Sequence, residues 1–449
     1  MKKVMARFPL LIVKTCGLLV LSLALLLSLP VSHGWAEEEG SIPPGTVITM
    51  QNWRQYKGFM SDGMQALFEG TYHWKFPSDF QLDVGPTHHY TLPEAYRRNT
   101  EKYSHLVKIV TLPDGRHTLT GYVAGQPFPN PQEPMRGYKI LANLWEAYVP
   151  TLVCNPSINF YIEDRFDHVS RTRVQEVYRR LAHISDAKLP IVDPNGQGVS
   201  YAEYLTVVAP EQAKYVTQLT LYYNVNDFLK PEDLFLFLPS LRRTLRLSSA
   251  ARCSPVFGSD WTQDDVKTSG FNGGLTRFDA NYLGDRKVLG LTQASPKVWG
   301  NVDSNYYLPI VFPSPKVGQW EVRDTMMLDV RRIPSQRKGY CYGKRILYID
   351  KEGYMSLWAE LYDENMKLWK ILTLQSIAGQ VPGVGEVMNA YHVLPVAWDI
   401  QNDHLTAAPH NDPDGVDARY NEQCRSYGGH NWDDLGRYSS VRGLSEIMR

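Results

Sequence analysis

The sequence predicts an α+β protein built on one antiparallel sheet. Segments with an apolar residue at every second position fill the last two-thirds of the chain, which is the pattern of half-buried strands. Several of them are separated by short turns, as antiparallel neighbours are. Segments with helical spacing cluster in the first third, and helices covering one face of an antiparallel sheet define the α+β class. The 449 residues also include 27 Tyr and 11 Trp, and aromatic residues favour strands.

The first 36 residues have the pattern of a secretory signal peptide. Lys2 and Lys3 precede an uncharged apolar run from Leu18 to Leu29, and the small residues Gly34 and Ala36 occupy the −3 and −1 positions of the cleavage site. The run is shorter than the roughly 20 residues of a membrane span, and the order of these regions matches a cleaved signal. We therefore expect cleavage after Ala36 and export of a soluble mature protein.

Four helices are predicted before the sheet. In the clearest of them Leu141, Leu144 and Tyr148 fall at i, i+3 and i+7 and form an apolar stripe. Pro93 suits the first turn of another helix. The predicted helices span residues 52–59, 63–68, 93–107 and 136–148. They are expected to form an N-terminal helical subregion that packs against the sheet.

The predicted strands share a two-residue period. Along residues 319–332, for example, Trp320, Met326 and Leu328 lie on one face. Short turns at 350–353 and 363–365 join the last three strands into a meander. The strands are predicted at residues 117–123, 158–162, 169–184, 217–223, 241–247, 319–332, 345–349, 354–362 and 368–374.

No repeat and no glycine-serine linker divides the chain, so we expect one domain over residues 37–430. Residues 405–449 are rich in Asp, Asn and Gly and show little periodicity. They are predicted to be a polar C-terminal tail that packs on the domain or wraps around it.

Four cysteines follow the signal peptide: Cys154, Cys253, Cys341 and Cys424. An even number in an exported chain favours two disulfides. Their spacing does not fit a zinc site, because no two of them lie within four residues of each other. Three pairings are possible, and the sequence leaves the choice among them open.

Charge and motifs argue against several classes of function. The formal net charge is zero, which disfavours a nucleic-acid-binding groove. The chain lacks the zinc-protease H-E-x-x-H pattern, a P-loop, a nucleophile elbow and a dinucleotide fingerprint. We therefore expect a binding protein with no catalytic residue, metal or cofactor. A packed envelope scaffold is the main alternative, and a hydrolase using Ser259 with a distant histidine is a weaker one.

A basic strand is followed by an acidic pair in the segment from Leu234 to Gln293. Charges near a core need partners, and arginine binds carboxylates with two parallel hydrogen bonds. We therefore predict a structural charge cluster that fixes the turn Gly258–Trp261 at the rim of the sheet. Its members are Arg242, Arg243, Arg246, Asp264 and Asp265. The alternative is that the arginines face solvent or hold an anionic head group, while the aspartates cap a turn.

Six blocks of sequence resemble domain-of-unknown-function family 1329 (DUF1329), over roughly residues 50–430. The blocks are Leu238–Arg243, Gly258–Trp261 with Asp264-Asp265, Leu283-Gly284, Tyr342–Asp350, Tyr362-Asp363 and Leu368–Lys370. The family is similar to periplasmic outer-membrane lipoprotein-sorting proteins and to the lipoprotein carrier LolA. The resemblance implies a strongly curved antiparallel sheet, an incomplete barrel, with helices covering its concave mouth over an apolar cavity.

The same resemblance implies a function. It points to a periplasmic carrier for a lipid or other hydrophobic compound, in transport across the Gram-negative cell envelope. The implied partners are an outer-membrane protein of family 1302 and an RND-type exporter. No catalytic residues are implied.

An apolar concave face is a reasonable lipid site, because each buried methylene contributes about 0.8 kcal/mol. Candidate ligand-binding side chains on such a face are Leu245, Leu247, Trp261, Trp320, Met326, Leu328 and Leu357.

Overall fold

The computed structural model describes residues 40–447, with gaps at 71, 225, 227–229, 231, 248–251, 269, 296–299, 377, 389–392 and 411–416. The signal peptide predicted over residues 1–36 therefore lies outside the described residues. The strands are β1 (Val47–Thr49), β2 (Gln81–Asp83), β3 (Lys108–Thr111), β4 (His117–Thr120), β5 (Leu152–Glu163), β6 (Val169–Arg180), β7 (Val199–Ala209), β8 (Thr217–Tyr223), β9 (Asp233–Leu238), β10 (Arg243–Leu247), β11 (Phe278–Ala294), β12 (Tyr306–Tyr307), β13 (Phe312–Pro313), β14 (Gly318–Arg332), β15 (Lys344–Asp350), β16 (Ser356–Tyr362), β17 (Leu368–Ser376), β18 (Gly379–Val381), β19 (Gly385–Val387), β20 (Val393–Asp399), β21 (His404–Ala407) and β22 (Arg419–Tyr420).

Helices are fewer, and the three longest α-helices lie before the sheet. The α-helices are α1 (Asp62–Glu69), α2 (Glu94–Tyr103), α3 (Arg136–Trp145), α4 (Val302–Asn305), α5 (Leu435–Tyr438) and α6 (Val441–Ser445), and a 3-10 helix spans Trp53–Phe59. Among the described residues, no helix is long and apolar enough to cross a membrane.

One sheet of 14 strands organises the molecule. Its order is β10-β9-β8-β7-β6-β5-β21-β20-β17-β16-β15-β14-β11, with β22 paired to β5 outside this path. We call β5 to β10 the first arm, and β11, β14–β17, β20 and β21 the second arm. All pairings along the path are antiparallel, and the two arms join where β21 pairs with β5. Among the described residues the edge strands β10 and β11 do not pair with each other, so the sheet does not close. This confirms the predicted α+β class and the incomplete sheet.

The sheet is strongly curved. One apolar cluster contains Leu205 of β7 and Leu328 of β14, which lie eight positions apart in the sheet order. Strands lie about 4.8 Å apart, so a flat sheet would separate these two strands by about 38 Å. We call the face that carries this cluster the inner face. Tyr96 of α2 and Leu141 of α3 belong to the same cluster, so both helices cover the inner face.

The outer face of the second arm is buried as well. Segments 42–84 and 302–317 pack on it in a second apolar cluster. The Phe312 ring stacks on Trp320 with 5.2 Å between ring centroids, and Trp358 and Trp398 are buried in the same cluster. Both faces of this arm are therefore covered by protein.

The C-terminal residues cover the outer face of the first arm. Trp432, Tyr438 and Leu444 form a third apolar cluster with Leu152 and Val177 of β5 and β6. A disulfide between Cys154 and Cys424 ties this segment to β5. The segment predicted as a polar tail thus contributes β21 to the centre of the sheet and then packs through apolar side chains.

Candidate ligand cavity

A loop segment of residues 252–277, which we call the plug, lies against the inner face of both arms. Its Trp261 and Phe271 belong to the inner apolar cluster. Gly273 has φ +62° and lies so close to the Trp145 ring of α3 that a Cβ there would clash with it. A residue without a side chain is required at such a close approach with positive φ.

Asp264 fixes the plug to the second arm and is almost completely buried. Arg332 of β14 donates a hydrogen bond of 2.9 Å to its Oδ2, and Arg252 donates to its Oδ1. Burial alone would raise the pKa of Asp264, but the positive charges of Arg252, Arg277, Arg345 and Arg332 outweigh it and hold the pKa well below its ordinary value. The carboxylate is therefore ionised and part of a buried ion network.

Asp265 anchors the same turn through its other partners. Its Oδ2 accepts hydrogen bonds from the Thr262 backbone N–H at 2.8 Å and from the Tyr342 hydroxyl at 2.8 Å. Its Oδ1 lies 3.5 Å from Arg345 Nη2. Asp265 thus both closes the turn from Thr262 and fixes that turn to the second arm.

The charge cluster predicted from the sequence requires a correction. Arg242 and Arg243 are exposed at the β9–β10 turn, and the largely exposed Arg246 pairs with Asp233 across the β9–β10 hairpin. Asp264 and Asp265 pair instead with Arg252, Arg332 and Arg345. The physical reason is that β10 is the edge strand of the first arm, where solvent can solvate its arginines, whereas the aspartates are buried against the second arm.

The predicted Gly258–Trp261 turn is held by β21. Asp260 accepts a hydrogen bond of 2.7 Å from the Thr406 hydroxyl, and His404 Nδ1 lies 2.8 Å from the same carboxylate oxygen. That hydrogen bond to Asp260 raises the pKa of His404 above its ordinary value. Lys370 of β17 donates to the Asp260 carbonyl at 2.7 Å. The turn therefore lies over the centre of the sheet and not at its rim.

The cysteines form two disulfides. Cys253 at the start of the plug pairs with Cys341, which precedes β15, and Cys154 pairs with Cys424. The first of these bridges ties the plug to the second arm beside the Asp264 network.

A cavity of about 100 Å³ lies between the inner face, the end of α3 and the plug. Strands of both arms contribute to its wall. The first arm contributes β5, β6 and β7, and the second arm contributes the starts of β16 and β20 and the ends of β17 and β21. The wall is mainly apolar. Its apolar side chains are Leu144, Ala147, Val149, Ile158, Phe160, Leu205, Val256, Trp261, Val266, Tyr354, Met355, Leu374, Pro395 and Ala408.

Glu203 and Lys267 make the first-arm side of this wall polar. Glu203 lies on the inner face of β7, opposite Tyr178 of β6 and Thr220 of β8. Burial raises the pKa of Glu203 to about 7, although the nearby charge of Lys267 acts in the opposite direction. Burial lowers the pKa of Lys267 to about 7 as well, and the positive charge of Arg180 adds to this effect. Both groups therefore titrate near neutral pH.

Lys267 is held by α3. Its ammonium donates a hydrogen bond of 2.7 Å to the Trp145 carbonyl. The nitrogen also lies 3.9 Å from the Trp145 ring centroid and 4.6 Å from that of Tyr201, within the range of cation–π attraction. The amine is thus positioned on the plug side of the cavity, facing β7.

A buried polar network continues beyond Glu203 along the first arm. Gln218 Nε2 donates to Gln263 Oε1 at 3.1 Å, and Asn272 Nδ2 donates to the Tyr222 hydroxyl at 2.6 Å. None of these residues was singled out from the sequence. The available signal was the run of polar residues Gln218, Thr220 and Tyr222 at the inward positions of β8, which a half-buried strand would fill with apolar side chains.

The predicted ligand-binding residues fall in different places. Trp261 lines the cavity. Leu245 and Leu247 lie on the edge strand β10, where Leu245 is 38% exposed. Trp320 and Leu357 belong to the outer cluster of the second arm, and Met326 and Leu328 are buried in the inner cluster. Because both faces of the second arm are buried, period-two spacing could not identify which face borders the cavity.

Metal ligands are not grouped in the part of the chain that the structure describes, since no three His, Cys, Asp or Glu side chains there could hold one ion together.

A family model described as "Protein of unknown function (DUF1329)" matches residues 47–434. Curated proteins give no significant match. Similar crystal structures include an outer membrane lipoprotein-sorting protein domain from Vibrio parahaemolyticus, at 17% identity and a TM-score of 0.42, covering 64% of this chain and 95% of the other. A DUF1329 family protein from Desulfovibrio piger has 14% identity and a TM-score of 0.44, with 65% and 95% covered. The LolA superfamily protein NE2245 from Nitrosomonas europaea has 13% identity and a TM-score of 0.37, with 64% and 94% covered.

Proposed function

This chain belongs to the DUF1329 family, and we propose that it is a periplasmic carrier that binds a lipid or another hydrophobic compound. The observation that carries the proposal is the apolar cavity between the inner face, α3 and the plug. Transfer of apolar surface from water to such a wall contributes about 25 cal/mol per Å². The sequence lacks a nucleophile elbow and the zinc-protease H-E-x-x-H pattern, and binding without chemistry is the function proposed.

The cavity volume limits what can enter without rearrangement. A cavity of about 150 Å³ holds one benzene molecule, so about 100 Å³ accommodates only a few methylenes without rearrangement. A longer chain would have to displace the wall formed by Val266 and Thr268 of the plug or by Ala147 and Val149 after α3. The plug's Asp264 end is fixed by its ion network, so the movement would fall on the part of the plug beyond it.

The site of action belongs to the proposal as well. Cleavage of a signal peptide after Ala36 would release the protein into the periplasm. There it would pass its ligand between an RND-type exporter and an outer-membrane protein of family 1302. Cross-linking in the native envelope, followed by identification of the linked proteins, tests both partners.

An envelope scaffold is the second candidate, and a different observation favours it. Side chains fill most of the inner face, where Glu146 and Arg180 form a buried ion pair of 3.0 Å. A scaffold would use the sheet as a packed body, and the cavity would be a packing defect with no bound compound.

Extraction of the purified protein separates these candidates. We expect organic extracts of gently purified protein to contain one class of hydrophobic compound by mass spectrometry. Ala408→Phe places a ring in the cavity wall and should abolish retention. Ala187→Phe, at an exposed loop position, should not. A wild-type protein that yields no compound and binds no fluorescent fatty acid contradicts the carrier and supports the scaffold.

A further inference from the structure

The polar end of the cavity contains an acceptor that lacks a donor. Glu203 is 4% exposed and lines the cavity. No hydrogen-bond donor among the described residues reaches its Oε2. A buried carboxylate oxygen without a donor is uncommon in folded proteins, because burial removes the water that would otherwise solvate it.

The charges around this atom restrict the chemistry of a partner. Glu176 lines the same cavity, so an anionic head group would meet two carboxylates. Lys267 faces the cavity from the plug, so a cationic head group would meet an ammonium. A neutral hydroxyl group avoids both repulsions. It can donate to Glu203, and it can accept from Lys267, whose ammonium has three N–H groups and uses one on the Trp145 carbonyl.

From this geometry we infer that the cavity selects hydrophobic compounds that carry a neutral hydroxyl group, with Glu203 accepting a hydrogen bond from the hydroxyl group and Lys267 lying beside its oxygen. The apolar body of such an alcohol or phenol lies against apolar side chains of the same cavity, such as Phe160, Leu205 and Trp261. The inference rests on the proposed function, because it names the class of compound that the same cavity takes.

Three probes of nearly equal size test the selection: benzyl alcohol, toluene and benzoate. Each is somewhat larger than the resting cavity and requires the same small displacement of its wall, so the comparison isolates the group presented to Glu203. Titration calorimetry at pH 8, where most of Glu203 is ionised, on protein freed of bound lipid should give benzyl alcohol an affinity about tenfold higher than toluene, the effect of one hydrogen bond to a charged acceptor. Benzoate should bind more weakly than toluene.

Glu203→Met tests the residue itself, since it replaces the carboxylate with an apolar side chain. The preference for benzyl alcohol over toluene should fall to about one in this variant, while toluene still binds. Glu163→Met is the matched control. Glu163 is also a buried glutamate with an unpartnered oxygen, but it lies at the end of β5 away from the cavity wall, and its variant should keep the wild-type preference.

The outcomes separate this inference from the proposed function. Equal binding of toluene and benzyl alcohol to the wild-type protein overturns the hydroxyl selection and leaves a hydrophobic carrier. A preference that survives in Glu203→Met overturns the role of Glu203. If none of the three probes binds to the wild-type protein, both the selection and the cavity's carrier role fail. The wild-type comparison decides the selection even if Glu203→Met does not fold.

Discussion

Replacing Glu203 with Gln should stabilise the protein in a pH-dependent way. Burial raises the pKa of Glu203 from 4.5 to about 7, so the ionised carboxylate is disfavoured in the folded state. Below about pH 4 the group is protonated in both states, and the cost is absent. The cost grows between these two pKa values and is fully present above about pH 8, where it amounts to about 3 kcal/mol. Gln cannot ionise, so its variant does not carry this cost.

The size of the effect can be stated as a melting temperature. The described chain has roughly 400 residues, and its entropy of unfolding is then about 0.8 kcal/mol/K. A difference of about 3 kcal/mol corresponds to about 4 °C. A pH-independent effect of the Gln side chain on the melting temperature is the same at both pH values. It therefore cancels when the difference between variant and wild type at pH 8 is compared with that difference at pH 4.

Calorimetric scans of wild type and Glu203→Gln at pH 4 and pH 8 measure this quantity on protein freed of ligand. The variant should gain about 4 °C relative to wild type on going from pH 4 to pH 8. Glu211→Gln, on an exposed glutamate that pairs with Lys214, serves as the control and should show no such gain. A Glu203→Gln difference that is the same within 1 °C at both pH values would falsify the reasoning.

Three further substitutions test how the plug is held. Asp264→Asn should lower the free energy of unfolding by about 3–5 kcal/mol, because it leaves buried arginines without a counter-charge. The control Arg246→Met, which removes a surface ion pair, should change the free energy of unfolding by less than about 1 kcal/mol. Equal melting temperatures for the two variants would contradict this prediction. Replacing Cys253 and Cys341 together with Ala should cost about 2–4 kcal/mol in urea unfolding, and an unshifted midpoint would count against the bridge. His404 contributes stability below its ordinary pKa of 6.5, and this contribution is lost as pH rises through its raised folded-state pKa. The stability lost in His404→Ala should therefore be smaller at pH 9 than at pH 6. A loss that is the same at both pH values would show that the ion pair with Asp260 is not responsible.

The sequence predicted the second arm well because its strands alternate and its turns are short. The strand predicted at 319–332 is β14 (Gly318–Arg332), and the one predicted at 368–374 is β17 (Leu368–Ser376). The 17-residue strand β11 was not predicted. This strand includes Gly284 at φ +132° and the charged run Asp285-Arg286-Lys287. In a sequence read alone, a glycine followed by three charged residues is typical of a loop.

The candidate site was less predictable because its residues come from distant parts of the chain. Arg332 and Arg345 lie 68 and 80 residues from the aspartates that they bind, whereas sequence reasoning paired those aspartates with the nearest basic strand. Glu203 stands between Tyr201 and Leu205 on one face of β7, and a charged residue at an inward position is a visible signal. Only the fold, however, shows that a lysine from the plug faces it.

The junction between the two arms determines when the chain can complete its assembly. Each arm is a meander in which neighbouring strands follow one another along the chain, interrupted in the second arm only by the short pairs β12–β13 and β18–β19, so each can form early from local contacts. The junction itself consists of three residue pairs, from Leu405 with Glu163 to Ala407 with Tyr161, and it must wait until more than 240 further residues have been synthesised. Until then β5 has an open edge of unpaired N–H and C=O groups, the kind of edge at which chains aggregate. A chain interrupted before His404 would keep that edge permanently, so the C-terminal residues protect the finished chain from edge-to-edge aggregation as well as complete its sheet.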